Sequence, residues 1–405
     1  MPAFLLASPD FFTIFVAMRR FVFILLFVCA GMMTHAQMYR YNTKFSVSAR
    51  NFVDTIPIEF EDNQIYIRAL VDGKERRFCL DTGSSQGILH RNGTIPYIRI
   101  MGNQVAYDAN GQGDTVKAVQ FPDIRLGNLT LRGYVGSLLE RLVGTKFDGV
   151  IGFDLFNKGL SAKIDVREGV MILTDRRDLF LNERGYSLKY RLLRFVPNVK
   201  LSPYPNCTDE ARFDTGSRRL YVMARRSLQV FSRKFPDFNS QIEGVGHGSR
   251  AIGYFGTEQL SEMAFLWLDA VNMGGFSFLD YHTLTTEGNS RIGAELFNYG
   301  TIIILPRKKE IRFIPYSDGD KMMVSNSQTD IAFVPKNNRA VVGLIREGGE
   351  HYRNGFRQGD IVISIDGTAI NTFEQFLRFP FVEDREHTFV VQDTMGDIHH
   401  VKSRR

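Results

Sequence analysis

The chain has 405 residues, 44% of them hydrophobic, and a formal net charge of +6. That length accommodates several domains, and the small cationic excess falls in turns such as Arg176-Arg177 and Arg307-Lys308-Lys309 beside acidic residues, so no nucleic-acid partner is expected. Only Cys79 and Cys207 lie beyond the N-terminal segment, too few for a disulfide framework; one bridge or two buried thiols are both open, with a free core thiol the reading for Cys79.

In chain order, Arg19 and Arg20 precede the apolar run Phe21 to Met33, and Thr34-His35-Ala36 stands before Gln37. This pattern predicts a signal peptide over residues 1–36, starting at Met18, and an exported protein, periplasmic or secreted. The apolar residues before Met18 leave an uncleaved anchor open. Cys29 follows Phe27-Val28 and lacks the small residue that a lipoprotein cleavage site requires. Loss of the leader removes Arg19, Arg20 and Asp10, which takes the charge from +6 to +5. Beyond Gln37 no apolar run is long enough to cross a bilayer, so the mature chain is expected to have no integral membrane segment.

Residues 37–180 and 181–316 are short stretches rich in Val, Ile, Phe and Tyr, broken by glycine and Asp/Asn turns, and predict a mainly β architecture in two units. Each unit carries one copy of the same signature. Phe78-Cys79-Leu80-Asp81-Thr82-Gly83-Ser84 is an apolar run, a carboxylate and a glycine turn, and Ala211-Arg212-Phe213-Asp214-Thr215-Gly216-Ser217 repeats it. Downstream, Ile151, Gly152, Leu155, Phe156, Asn157 and Gly159 recur in one register at Ile292, Gly293, Leu296, Phe297, Asn298 and Gly300. The chain therefore contains an internal repeat with one Asp per half. Two carboxylates brought together share one proton, and such a pair can activate water as a general base while its protonated member hydrogen-bonds a carbonyl.

Glycine-rich hairpins follow each Asp. Tyr107, Gly111 and Gly113 in the first unit, and Gly246 and Gly248 in the second, are candidate flap residues; a strand aromatic and plain loops are the other readings. Gly83-Ser84-Ser85-Gln86-Gly87 matches a serine nucleophile elbow by letter, but no long helix follows it. No zinc-type cluster is present, Trp267 and Phe276 to Tyr281 are assigned to the core, and neither a metal nor a cofactor is expected.

Residues 317–328 are polar and predict a linker, leaving 329–405 for a small domain. There Asn354-Gly355-Phe356-Arg357-Gln358-Gly359-Asp360 leads into an alternating strand and the Asp366-Gly367 turn, with a helix predicted from Thr372 to Phe379. This run resembles bacterial PDZ domains, which bind a peptide as an added strand. The resemblance places the peptide-holding loop near Ile331, Ala332, Phe333 and Val334, although the family's glycines are missing there.

The paired Asp-Thr-Gly-Ser motifs, each followed by an apolar-apolar-Gly strand, resemble the pepsin and retropepsin class of aspartic proteases over about residues 40 to 316. The resemblance implies a two-lobed acid-protease β-barrel fold plus a small C-terminal PDZ domain, with Asp81 and Asp214 as a catalytic dyad. Thr82, Gly83, Ser84, Thr215, Gly216 and Ser217 would support it, the serine hydroxyls bonding the outer carboxylate oxygens. The function it implies is an exported aspartic endopeptidase, a monomer acting on extended peptide or protein, with the PDZ domain binding peptide or regulating access. The alternative is a catalytically inactive protein of the same fold that binds peptides or acts as a scaffold.

Overall fold

A computed structural model describes residues 41–404 apart from 251, 327–329 and 383–384, and the predicted leader lies outside them. From Asn42 onward the chain packs as one unit. It is mainly β, and two lobes are built on one shared sheet. That sheet runs Val53–Glu61, Val170–Thr174, Ser161–Asp165, Gly300–Leu305, Glu310–Pro315 and Tyr186–Leu193, antiparallel throughout. Ala162, Ile302 and Ile304 are fully buried along it, so the pairing of Ser161–Asp165 with Gly300–Leu305 joins the halves of the repeat through their cores.

Within the first lobe, Gln64–Val71 and Lys74–Asp81 form a hairpin whose turn residues, Asp72 and Gly73, have positive φ of 50° and 71°. Such a turn matches the right-handed twist of its strands. Lys74–Asp81 then pairs in parallel with Gly149–Gly152, which pairs antiparallel with Gly87–His90. The second lobe repeats this: Asp209–Phe213 runs parallel to Arg291–Ile292, itself antiparallel to Tyr221–Ala224. Sequence identities in register thus become equivalent strand positions, with Asp81 the last residue of its strand and Asp214 the first residue after its own.

The last domain has its own core around Phe356, Val362, Phe376, Phe389 and Val401. The predicted helix is Phe373–Arg378, started by a capping box between Thr372 and Gln375. Part of the expected linker is not a linker: Lys321–Met323 pairs in parallel with Phe276–Thr286 of the second lobe. Nor is the expected peptide-holding loop a loop, because Ile331–Lys336 is a strand paired with Arg339–Ile345. Phe333 packs on Phe376 with ring centroids 4.7 Å apart. Trp267 is also misassigned by sequence, being half exposed, stacked on His282 and donating to Asp280. Cys79 and Cys207 are both free and buried.

Under the first lobe, Asp154 is buried and accepts from the Tyr134 hydroxyl at 2.7 Å. Burial pushes its carboxyl up to about 8, outweighing the Tyr134 bond. Its protonated form is therefore favoured in the folded state, and the associated stability is full below the ordinary carboxylate range and lost as pH rises through about 8. Denaturant midpoints taken from pH 4 to 9 should fall less steeply in Asp154→Asn than in the parent; equal slopes would mean that the group is ionised as folded.

Candidate functional site

Asp81 and Asp214 meet at the floor of a cleft of about 350 Å³ between the lobes. What brings them together is a reciprocal latch between the residues that follow them. The Thr82 amide donates to Thr215 Oγ1 at 3.0 Å, and the Thr215 amide donates to Thr82 Oγ1 at 3.0 Å. Each hydroxyl donates across the interface to a carbonyl, Thr82 to Phe213 at 2.8 Å and Thr215 to Leu80 at 2.6 Å. Both threonines are buried, so these four bonds have no water to compete with them.

Glycine is needed after each threonine because the opposite carboxylate approaches the backbone. A Cβ on Gly83 would overlap the Asp214 carboxyl, and one on Gly216 would come within 2.7 Å of Asp81 Cγ. The Gly83 amide donates to Asp81 Oδ1 at 2.8 Å and the Gly216 amide to Asp214 Oδ1 at 3.1 Å. Ser84 departs from expectation. Its amide donates to Asp81 Oδ1 at 3.2 Å, but its hydroxyl donates to the Gln86 carbonyl at 2.7 Å and not to the carboxylate. The Ser217 amide bonds the Asp214 carbonyl, and Ser217 lines the cleft.

Burial first, and then the neighbouring Asp214 carboxylate, push Asp81 up to about 7, against the Gly83 N–H. The pair therefore holds a shared proton around neutrality and can both accept a hydrogen bond and donate one. That is the hydrogen-bonding complement of a peptide group or of a bound water.

Tyr107 lines the cleft and carries Arg194 over its ring at 3.9 Å. Gly111, with φ of 81°, turns the tip of its hairpin, and Gly113 closes on the Tyr107 ring. Gly246 and Gly248 do not cover the site. They lie against Ile345 and Gly343 of the last domain, where a side chain would collide with backbone oxygens. The segment of the second lobe that does reach the cleft is Gly253 to Gly256. The Phe255 amide donates to Asp108 Oδ2 at 3.2 Å and Asn110 Nδ2 to the Gly256 carbonyl at 3.4 Å, so the loop tips are tied to each other above the carboxylates. Tyr254 enters an apolar recess with Cys79, Ile88, Val150 and Phe147, and burial pushes its phenol upward. Tyr254 was not singled out from the sequence; Gly253 and Gly256 on either side of Tyr254-Phe255 were the available signal.

The groove candidates are apart from the dyad. Ile331 and Ala332 line a cavity of about 190 Å³ with Arg219 and Arg250 of the second lobe, and Val334 is buried.

No protein-family model matches the chain, and no curated protein matches it. Among solved structures it is similar to basic 7S globulin from soybean, with 9% identity and a TM-score of 0.39 over 64% of this chain and 94% of that chain. It is similar also to conglutin gamma, a basic 7S globulin from lupine seeds, with 9% identity and a TM-score of 0.40 over 66% of this chain and 96% of that chain. The two solved structures described are both basic 7S globulins, and four expectations are corrected. Membership of the pepsin and retropepsin class with a PDZ domain is withdrawn, and so are the aspartic endopeptidase activity and, of the expected periplasmic or secreted address, the periplasmic one. The mainly β architecture stands.

Two measurements check the site. Thr215→Val should lower the unfolding free energy by about 2–4 kcal/mol, because it leaves the Thr82 amide and the Leu80 carbonyl buried without partners, and Thr215→Ser should recover most of the loss. A carboxyl stretch titrating near pH 7 should appear in the infrared spectrum of Asp154→Asn and vanish when Asp81→Asn is added. Its absence from the single variant would show the pair to be ionised throughout.

Proposed function

We propose that this chain is a peptide-binding protein of protease-like fold, which lays an extended segment of a partner across the cleft and holds it without hydrolysis. In this reading the Asp81/Asp214 pair recognises the ligand backbone, its proton donated to a carbonyl and its unprotonated oxygens accepting an N–H. The observation that carries the proposal is the tie between the loop tips over the carboxylates, with Tyr254 seated beside Asp81. A ligand laid over the carboxylates would pass beside that aromatic and beneath the joined tips, in contact with both lobes.

The test is a fluorescence-anisotropy titration of the full chain with a library of extended peptides, followed by mass spectrometry of the same mixtures after incubation from pH 3 to 8. Saturable binding, weakened at least several-fold in Asp81→Asn, with the peptides recovered intact, is the expected outcome. Fragments that depend on both Asp81 and Asp214 would overturn the non-hydrolytic reading, and a lack of saturable binding would overturn the binding one.

A further inference from the structure

The two lobes repeat each other, and their strand registers put equivalent residues at the wall of the cleft. Cys79 pairs with Val150 in the parallel strands beside Asp81, and Arg212 pairs with Arg291 in the parallel strands beside Asp214. Cys79 and Arg212 each stand two residues before their Asp, and Val150 and Arg291 each stand two before the Gly of the following Ile-Gly. All four line the cleft. Where the first lobe offers a thiol and a valine that join an apolar cluster, the second offers two guanidiniums.

These guanidiniums are short of counter-charge. Arg291 is 6% exposed; its Nη2 donates to Thr286 Oγ1 at 3.2 Å and its Nε meets no acceptor. The Nε of Arg212 also meets none, and among the described residues no carboxylate lies within ion-pair distance of either. Arg250 stands behind them, held down to about 9 by burial and by Arg291. The acid that acts on Arg250 is Glu258, whose Oε1 already accepts from the Thr286 hydroxyl at 2.6 Å and the Glu287 amide at 3.0 Å. Asp214 and Asp81 attract Arg212, while Arg291 and Arg194 repel it. Asp81, Asp214 and Asp108 line the same cleft, yet among the described residues none of the three guanidiniums has a carboxylate within ion-pair distance. Buried cations without full pairing are costly, and an anion placed between them removes the cost.

We infer that the Asp214 half of the cleft is a carboxylate-binding subsite formed by Arg212 and Arg291, so that the peptide held there presents an acidic group on that side and an apolar or aromatic residue on the Asp81 side. This rests on the peptide-binding reading and specifies its ligand. Two adjacent guanidiniums offer forked N–H donors to both oxygens of a carboxylate, a geometry that an amide of the same shape satisfies poorly. The carboxylate comes from an acidic side chain or from a peptide C-terminus.

The experiment titrates the full chain with peptides in which Glu or Gln is stepped through each position on either side of a central Phe, each peptide with a free and with an amidated C-terminus. Glu at one position, on one side only, should bind about tenfold more tightly than Gln. Arg212→Leu and Arg291→Leu should each erase that gain, so that they bind the Glu and Gln peptides alike. A gain that follows the free C-terminus identifies the terminal carboxylate as the source. Equal affinity of every Glu and Gln pair in the parent protein would overturn the inference while peptide binding stands, and it does so whether or not the arginine variants fold. Thermal stabilisation of the parent by N-acetylglutamate amide and not by N-acetylglutamine amide, without peptide binding, would keep the arginine subsite and remove the peptide reading. Neither stabilisation nor binding would overturn both.

Discussion

The four hydrogen bonds that Thr82 and Thr215 make across the lobe interface are the constraint on which the rest depends. They join two loops that are far apart in sequence and place each glycine against the opposite carboxyl, so the carboxylate pair exists only because the lobes are joined. Burial of the latch also buries the carboxyls, and burial is the first cause of the proton retained near neutrality by Asp81. One geometric fact thus sets both the joining of the lobes and the electrostatics of the cleft.

Above this symmetric floor the walls are not symmetric. The Asp81 side is lined by Cys79, Ile88 and Val150 and is filled by Tyr254, whereas the Asp214 side carries Arg212 and Arg291. The loops that cover it come one from each lobe and bind each other through Asp108 rather than through a shared motif. Asp108 accepts two amides of its own turn and one from across the cleft, so a single carboxylate both shapes one loop tip and secures the other.

Much of this was legible in the sequence where local chemistry and repetition coincide. The Asp-Thr-Gly copies and the Ile-Gly strands in register located the floor of the cleft, because glycine and threonine at those positions answer to close backbone approach and to a buried hydroxyl. The turn at Asp366-Gly367 and the helix before Phe379 were legible for the same reason, each having a capping or turn residue that states its conformation. What could not be read was long-range. Gly246 and Gly248 look like flap glycines but serve a close contact with Gly343 and Ile345, strands that come about 95 residues later. Nothing local in Ser84 reveals that its hydroxyl turns to Gln86. Motif resemblance likewise located the carboxylates without establishing the chemistry of the whole chain.

The shared sheet beneath the lobes has a consequence for any piece of this chain made alone. Ser161–Asp165 finds its outer neighbour in Gly300–Leu305, so a fragment ending after the first half of the repeat carries an open strand edge flanked by Ala162 and Ile164. Such an edge templates pairing with another chain. The mate nearest in shape to the missing half is a second copy of the fragment, which carries its own Asp-Thr-Gly turn. Severed halves would thus tend to associate as homodimers, with a two-fold axis where the intact chain has only an approximate one.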